Sequence, residues 1–208
     1  MGCRHVGLFT FAHSPKHIEL YRRFGFWPRF LTAVMRRPSP PAPPATASGA
    51  TLGSLPEGAR SEVLAACRAL TDEVFAGLDL EREIAAVGRL GLGETVLVGT
   101  EDALDGFAVC HLGGGTEAGE GVCLVKFGAV WPGAGASERF ARLLEACEAL
   151  AAQRGLAHVD AGVNLARVGA YRLMAARGYR TWLQGVAMHR PNEPGYSHAG
   201  AWVVDDWR

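Results

Sequence analysis

Displaced by 153 positions, the chain matches itself without a gap, residues 2–38 lying over residues 155–191. The upper copy reads GCRHVGLFTFAHSPKHIELYRRFGFWPRFLTAVMRRP and the lower GLAHVDAGVNLARVGAYRLMAARGYRTWLQGVAMHRP. Identities fall at Gly2/Gly155, His5/His158, Val6/Val159, Leu20/Leu173, Gly25/Gly178, Met35/Met188, Arg37/Arg190 and Pro38/Pro191, all in one register. In each copy a short apolar run predicts a buried strand, a helical segment follows, a glycine and an aromatic end it, and a second strand runs to the proline. A duplicated strand-helix-strand unit is the expectation.

The two copies differ in what precedes them. A glycine-rich turn and a long amphipathic pattern stand before Gly155, whereas only Met1 stands before Gly2. The first copy is therefore read as a unit without a front end. Between the copies, residues 37–60 read RPSPPAPPATASGATLGSLPEGAR, too rich in proline and small residues for a helix or a central strand. This semi-rigid linker divides the chain into a partial unit (1–38), a linker (39–58) and a complete domain (59–208).

In the complete domain, Ser61 is the expected cap of a helix carrying Val63, Leu64, Cys67, Leu70, Val74 and Phe75 at helical spacing. Asp79 heads a second, with Leu80, Ile84, Val87 and Leu90. The runs ETVLVGT, GFAVCHL and VCLVKFGAV, bounded by glycine and acidic turns, predict a three-strand meander. Gly113, Gly114 and Gly115 serve turn geometry, since no helix follows them.

The stretch VKFGAVWPGAGASERFARLLEACEALAAQRG carries the chemistry. A strand ends near Val130, a small-residue loop follows, and a helix begins around Ser137 with the apolar stripe Phe140, Leu143, Leu144, Cys147, Leu150 and Ala151. Gly133 and Gly135 allow close backbone approach, and the first helical turn offers unpaired amides at the positive end of a dipole. That combination suits a phosphate or diphosphate, although the same order also serves as a plain connection. No GKS or GKT follows the glycines, which excludes a nucleoside-triphosphatase loop, and a dinucleotide fold would place its glycines after the first strand.

Two helices, a meander, this loop, a long helix and then strand, helix and strand together resemble the GNAT superfamily of acyl-CoA-dependent N-acyltransferases, from about Ser61 to Arg208 and again, in part, over residues 2–38. The resemblance implies an α/β (α+β) fold with a mixed, mostly antiparallel sheet flanked by helices, joined by a partial unit of the same kind. It implies transfer of an acyl group, most simply acetyl from acetyl-CoA, to the amine of a small molecule or a protein, with direct attack and no acyl-enzyme. A silent CoA-binding or regulatory module of the same fold is the alternative.

Carried over by position, residues 130–135 (VWPGAG) match the diphosphate loop. Gly128, Ala129 and Val130 would pair through their backbone with the pantetheine arm. Gly133, Ala134, Gly135, Ala136 and Ser137 would hold the diphosphate, and Asn164 matches a position that contacts the pantetheine or acyl end. Val130 departs from the Gln or Arg usual at the first loop position. The family's acidic tyrosine, four residues before the glycine-aromatic pair, is Tyr21 in the first copy but Met174 in the second, where Tyr171 on the same helical face is the substitute, unless it is a core residue. Glu120, His111 and His189 are the candidate general bases.

Lys plus Arg and Asp plus Glu both number 21, so no net field points to nucleic acid or an anionic membrane. Five scattered cysteines with no CxxC spacing argue against a disulfide framework or a zinc site and for a reducing compartment. With no secretory leader and no apolar run near ~20 residues, a cytoplasmic protein is expected. Isolated strand pairs are marginal in water, so the first unit should add its strands to the sheet of the complete domain, in the same chain or in a homodimer.

Overall fold

A computed structural model describes residues 3–44, 47, 49–100 and 103–206. Gly2 of the repeat, Ala45, Thr46 and Ser48 of the linker, Glu101 and Asp102 of an acidic turn, and Trp207 and Arg208 lie outside the described residues.

The first unit forms β1 (Val6–Phe11), α1 (Pro15–Arg23) and β2 (Trp27–Pro38). The linker contributes a two-residue strand, β3 (Ala50–Thr51), and a single 3₁₀ turn (Leu52–Ser54). Then follow α2 (Glu57–Val74), α3 (Glu81–Arg89) and the meander β4 (Gly93–Gly99), β5 (Leu104–Leu112) and β6 (Val122–Val130). The chain closes through α4 (Ala136–Gln153), β7 (His158–Asn164), α5 (Val168–Ala176), β8 (Arg180–Arg190) and β9 (Val203–Asp205). Helix α2 starts four residues before the expected cap at Ser61, because Pro56 fixes the entry and EGAR already propagates the helix. Asp79 does head the next helix, its Oδ1 accepting the Glu81 amide at 2.9 Å.

All nine strands join one mixed, mostly antiparallel sheet in the order β1-β8-β2-β7-β6-β5-β4-β3, with β9 attached to β6. Among the described residues, only β6 and β7 run parallel. The units interleave: β8 lies between β1 and β2, and β2 lies between β8 and β7. Their pairing is symmetric about Thr32 and Gly185, positions that are counterparts at the 153-residue offset and face each other. Likewise Val6↔Arg190 reappears as Val159↔Arg37, and Phe11↔Gly185 as Asn164↔Thr32.

Two apolar layers cover the sheet. Helices α4 and α5 pack on one face through Phe140, Leu143, Leu144, Cys147, Ala170 and Met174. Helices α2 and α3 pack on the other through Cys67, Leu70, Ile84 and Val87 against Phe107 and Phe127. Covered on both faces, β6 is buried at all nine positions, which explains its unbroken apolar run. Two ion pairs bind the first unit to the rest: Arg36 holds Asp160 by two bonds (2.8 and 2.9 Å), and Arg37 reaches the buried Glu148 of α4 at 2.5 Å. Cys67, Cys110, Cys123 and Cys147 are free and buried, as expected of small apolar residues.

Candidate functional site

The site grows from one irregularity in β6. Val109 faces Phe127 but Cys110 faces Val125, so Lys126 is an extra residue, a bulge that bends the strand. Parallel pairing of β6 with β7 stops at Val125↔Ala161, immediately before that bulge. Beyond it the two strands separate, and the slot between them opens toward Val130 and Asn164.

At the mouth of the slot the loop behaves as its glycines predict. Gly133 and Gly135 have φ of +91° and +75°, and Gly135 caps α4 in the left-handed conformation, which other residues adopt only under strain. A Cβ at Gly133 would meet no atom within 4 Å, so the backbone there faces open space. The amides of Ala136 and Arg139 are taken by the Gly133 and Gly135 carbonyls. Sequence reasoning missed Arg139, whose guanidinium binds the carbonyls of Trp131 (2.9 Å) and Ala134 (2.9 Å) and lies 3.3 Å from a Cβ position on Gly135. It places a cation beside the loop where Val130 supplies none. Ser137 donates to Glu138 at 2.8 Å, a bond that, with the residue's own backbone bond, lowers the pKa of that exposed carboxyl. Its charge opposes an anion at this helix end.

The inner part of the slot is filled by the chain itself. Strand β9 pairs antiparallel with β6 through Ala129↔Val203, Gly128↔Val204 and Phe127↔Asp205, and the Asp206 amide reaches the Lys126 carbonyl at 2.9 Å. The backbone edge expected to receive a pantetheine arm at Gly128 and Ala129 is therefore bonded to β9. In sequence the ending AWVVDDWR reads as a last strand with solvated acids; the strand forms, but Asp206 is 1% and the Asp205 side chain 11% exposed. Gly162 makes the close fit possible, since a Cβ there would stand 2.2 Å from the Asp205 carbonyl oxygen.

Beside β9 lies a cavity of about 1080 Å³, lined by Thr32 of β2, Asn164 of β7, Arg167, His5, His189 of β8 and the α2–α3 connection at Phe75. Arg167 is wholly enclosed. It donates to both Asp205 oxygens (2.8 and 3.0 Å), to the Val203 carbonyl (3.0 Å) and to Ser197 (3.3 Å), and lies over the Tyr196 ring. Burial alone would lower its pKa, but the Asp205 carboxylate outweighs this and raises it. Asn164 is buried, donates to Thr32 at 3.3 Å and accepts the Ala166 amide at 3.0 Å.

Two histidines meet at the cavity wall, their ring centroids 4.9 Å apart and edge to face. His189 Nδ1 lies 2.7 Å from the Glu193 carbonyl oxygen; a carbonyl only accepts, so Nδ1 carries the hydrogen and Nε2 is the basic nitrogen. Burial, assisted by His5, holds the His189 pKa below the ordinary value, and burial does the same for His5 against the opposing pull of Glu193. Both are neutral near pH 7.

Of the residues singled out in sequence, Asn164 and His189 line this cavity, whereas Tyr171, Tyr21, His111 and Glu120 do not. Tyr171 is half-buried against the α4–α5 core, Tyr21 stacks edge-on with Phe26 across 6.3 Å, and Met174 is fully buried. His111 faces Glu83 at 3.6 Å, and Glu120 closes the turn over Gly114. Arg167, His5 and Asp205 carry no local motif, and only the assembled sheet brings them together.

Neither a protein-family model nor a curated protein matches the chain. Among solved structures, the GCN5-related N-acetyltransferase from Sphaerobacter thermophilus is similar at a TM-score of 0.57 and 20% identity, over 92% of this chain and 61% of its own. An acetyltransferase of the GNAT family from Colwellia psychrerythraea matches at 0.59 and 13% identity, over 88% of this chain and 64% of its own. A functionally unknown conserved protein from Staphylococcus epidermidis matches at 0.59 and 10% identity, over 91% and 73%. The chain thus spans less than two thirds of the length of the first two. It has the fold of the GNAT superfamily, a likeness of architecture at these identities.

Proposed function

We propose that the protein is an acyl-CoA-dependent N-acyltransferase, moving most simply an acetyl group from acetyl-CoA to the amine of a small molecule or a protein. The observation that carries this reading is the bulge at Lys126, which parts β6 from β7 and leads to a glycine loop and helix N-terminus at the mouth of the opening. Gly133, Ala134, Gly135, Ser137 and the Arg139 cation would hold the diphosphate, and the thioester would supply the electrophile. The cavity beside Asn164 would hold the acceptor, with His189 Nε2 taking a proton from the ammonium so that the free amine attacks. The new C–N bond forms as the C–S bond breaks, the surplus proton on the attacking nitrogen passes to solvent water, and CoA leaves as a thiolate. The buried Met174 donates no proton to that thiolate, and proton donation typically contributes ~10² to 10⁴ in rate.

A second reading, a silent module on the same scaffold, is favoured by Met174 and by the β9 strand on the β6 edge. The test is a panel of primary amines incubated with acetyl-CoA, followed by mass spectrometry for a 42-Da gain and by thiol release. Turnover that His189→Gln reduces at least tenfold supports the enzyme; no product from any amine, with acetyl-CoA bound, supports the module.

The same proposal includes duplication as the origin of the first unit. The pairing of Thr32 with its counterpart Gly185 supports it.

A further inference from the structure

Three glycines mark where residues 202–206 come closest to the rest of the chain. Gly162 on β7 lies under the Asp205 carbonyl, and Gly128 on β6 faces Val204, whose Cγ2 would be 3.1 Å from a Cβ there. Gly169 on α5 supports the Trp202 ring, with ring atoms 3.0 Å from its Cβ position. Trp202 also meets Phe140 of α4 at 5.5 Å between ring centroids. The segment thus fills the gap between the two strands and the groove between the two helices above it.

We propose that residues 202–206 are an internal occupant of the acyl-carrier slot, seated in the closed protein and displaced when an acyl-CoA enters. The inference rests on the acyltransferase reading. Its chemical basis is mimicry: an extended backbone satisfies the free N–H and C=O groups of β6 beyond the bulge, as the amides of a pantetheine arm would. Two extended chains cannot occupy one strand edge, so they compete. The segment is a short member of the sheet. It pairs through three residues, on β6, and is joined to β8 by residues 191–201, which form turns and bends and no helix or strand. Asp205, bonded to Arg167 and Tyr196, latches it. Competition of this kind weakens apparent affinity by the fraction of molecules that are open.

Calorimetric titration of CoA and acetyl-CoA into the full chain and into a chain ending at Gly200, both checked for folding by circular dichroism, tests the proposal. Affinity at least ten times tighter in the shortened chain, with Trp202→Ala between the two, is the expected result. Equal affinities overturn the internal occupant and leave the acyltransferase reading standing. Absence of binding to either folded protein overturns that reading, and the occupant with it. If the shortened chain does not fold, hydrogen exchange on the full chain decides. CoA should speed exchange at the Val203, Val204 and Asp205 amides while slowing it at residues 133–138; bound CoA that leaves β9 protected overturns the proposal.

Discussion

Arg167 and Asp205 hold each other by two parallel hydrogen bonds of 2.8 and 3.0 Å, joining the start of α5 to β9 with their side chains only 2% and 11% exposed. Removing one member of such a pair leaves the other charge buried and unmatched, at a cost of about 3–5 kcal/mol. Asp205→Ala should therefore destabilise the protein by about 3 kcal/mol, read from the urea midpoint, with β9 losing hydrogen-exchange protection first. A change below about 1 kcal/mol would show that the latch contributes little.

Gly162→Ala should be costly. Its methyl would meet a backbone oxygen at 2.2 Å, and overpacking of this kind costs about 1–3 kcal/mol. Gly88 is the control: it lies inside α3 with nothing within 4 Å of a Cβ, so Gly88→Ala should stabilise by up to about 1 kcal/mol through helix propensity. Thermal melts of the two variants should move in opposite directions.

Protonation should weaken the fold. An ordinary histidine titrates near 6.5, and burial holds His5 and His189 below that value; for His189, His5 and Arg29 act with burial, while the Glu193 carbonyl and Asp205 oppose it. As the pH falls through about 6.5 the unfolded chain takes up protons before the folded one. The stability contributed by the neutral pair is complete above that pH and is lost as the pH falls through the folded pKa values. The melting temperature should drop between about pH 7.5 and 5.5, and His189→Gln should shrink the drop.

Tyr171→Phe and Tyr21→Phe test the two tyrosines suggested by sequence. Neither lines the cavity, so turnover with a responsive amine should stay within about twofold of the parent. A loss of a hundredfold or more for Tyr171→Phe would assign it the proton donor's role.

A chain beginning at residue 40 should not fold. It lacks β2, whose Ala33, Val34 and Met35 are buried and which is the strand that joins β7 to β8 in the sheet. Circular dichroism and gel filtration would read this directly; a soluble, cooperatively melting product would contradict it.

The order of elements was legible because each long segment carries its own period. The helical stripe of α4 and the apolar runs of β4, β5 and β6 need no tertiary information. The interleaving was not legible, since nothing near Thr32 announces that its neighbour is Gly185. The closing strand was legible as a strand, but its acids were misplaced: two acids in a five-residue run look solvated, and only the assembled sheet brings Arg167 against Asp205. The loop was legible at Gly133 and Gly135, whereas Arg139 passed as an ordinary charge on an amphipathic helix. Of the cavity, sequence offered Asn164 and His189; His5 and Arg167 became visible only through the sheet.

The interleaved strands also set a timetable for synthesis. Thr32 leaves the ribosome long before Gly185, so β1 and β2 must wait through some 150 residues of translation before β8 comes to stand between them. Contacts of such sequence separation form slowly, and an early apolar strand without a partner is the place where nascent chains stick to one another. For this protein the hazardous interval falls between the emergence of its first helix and the completion of its eighth strand.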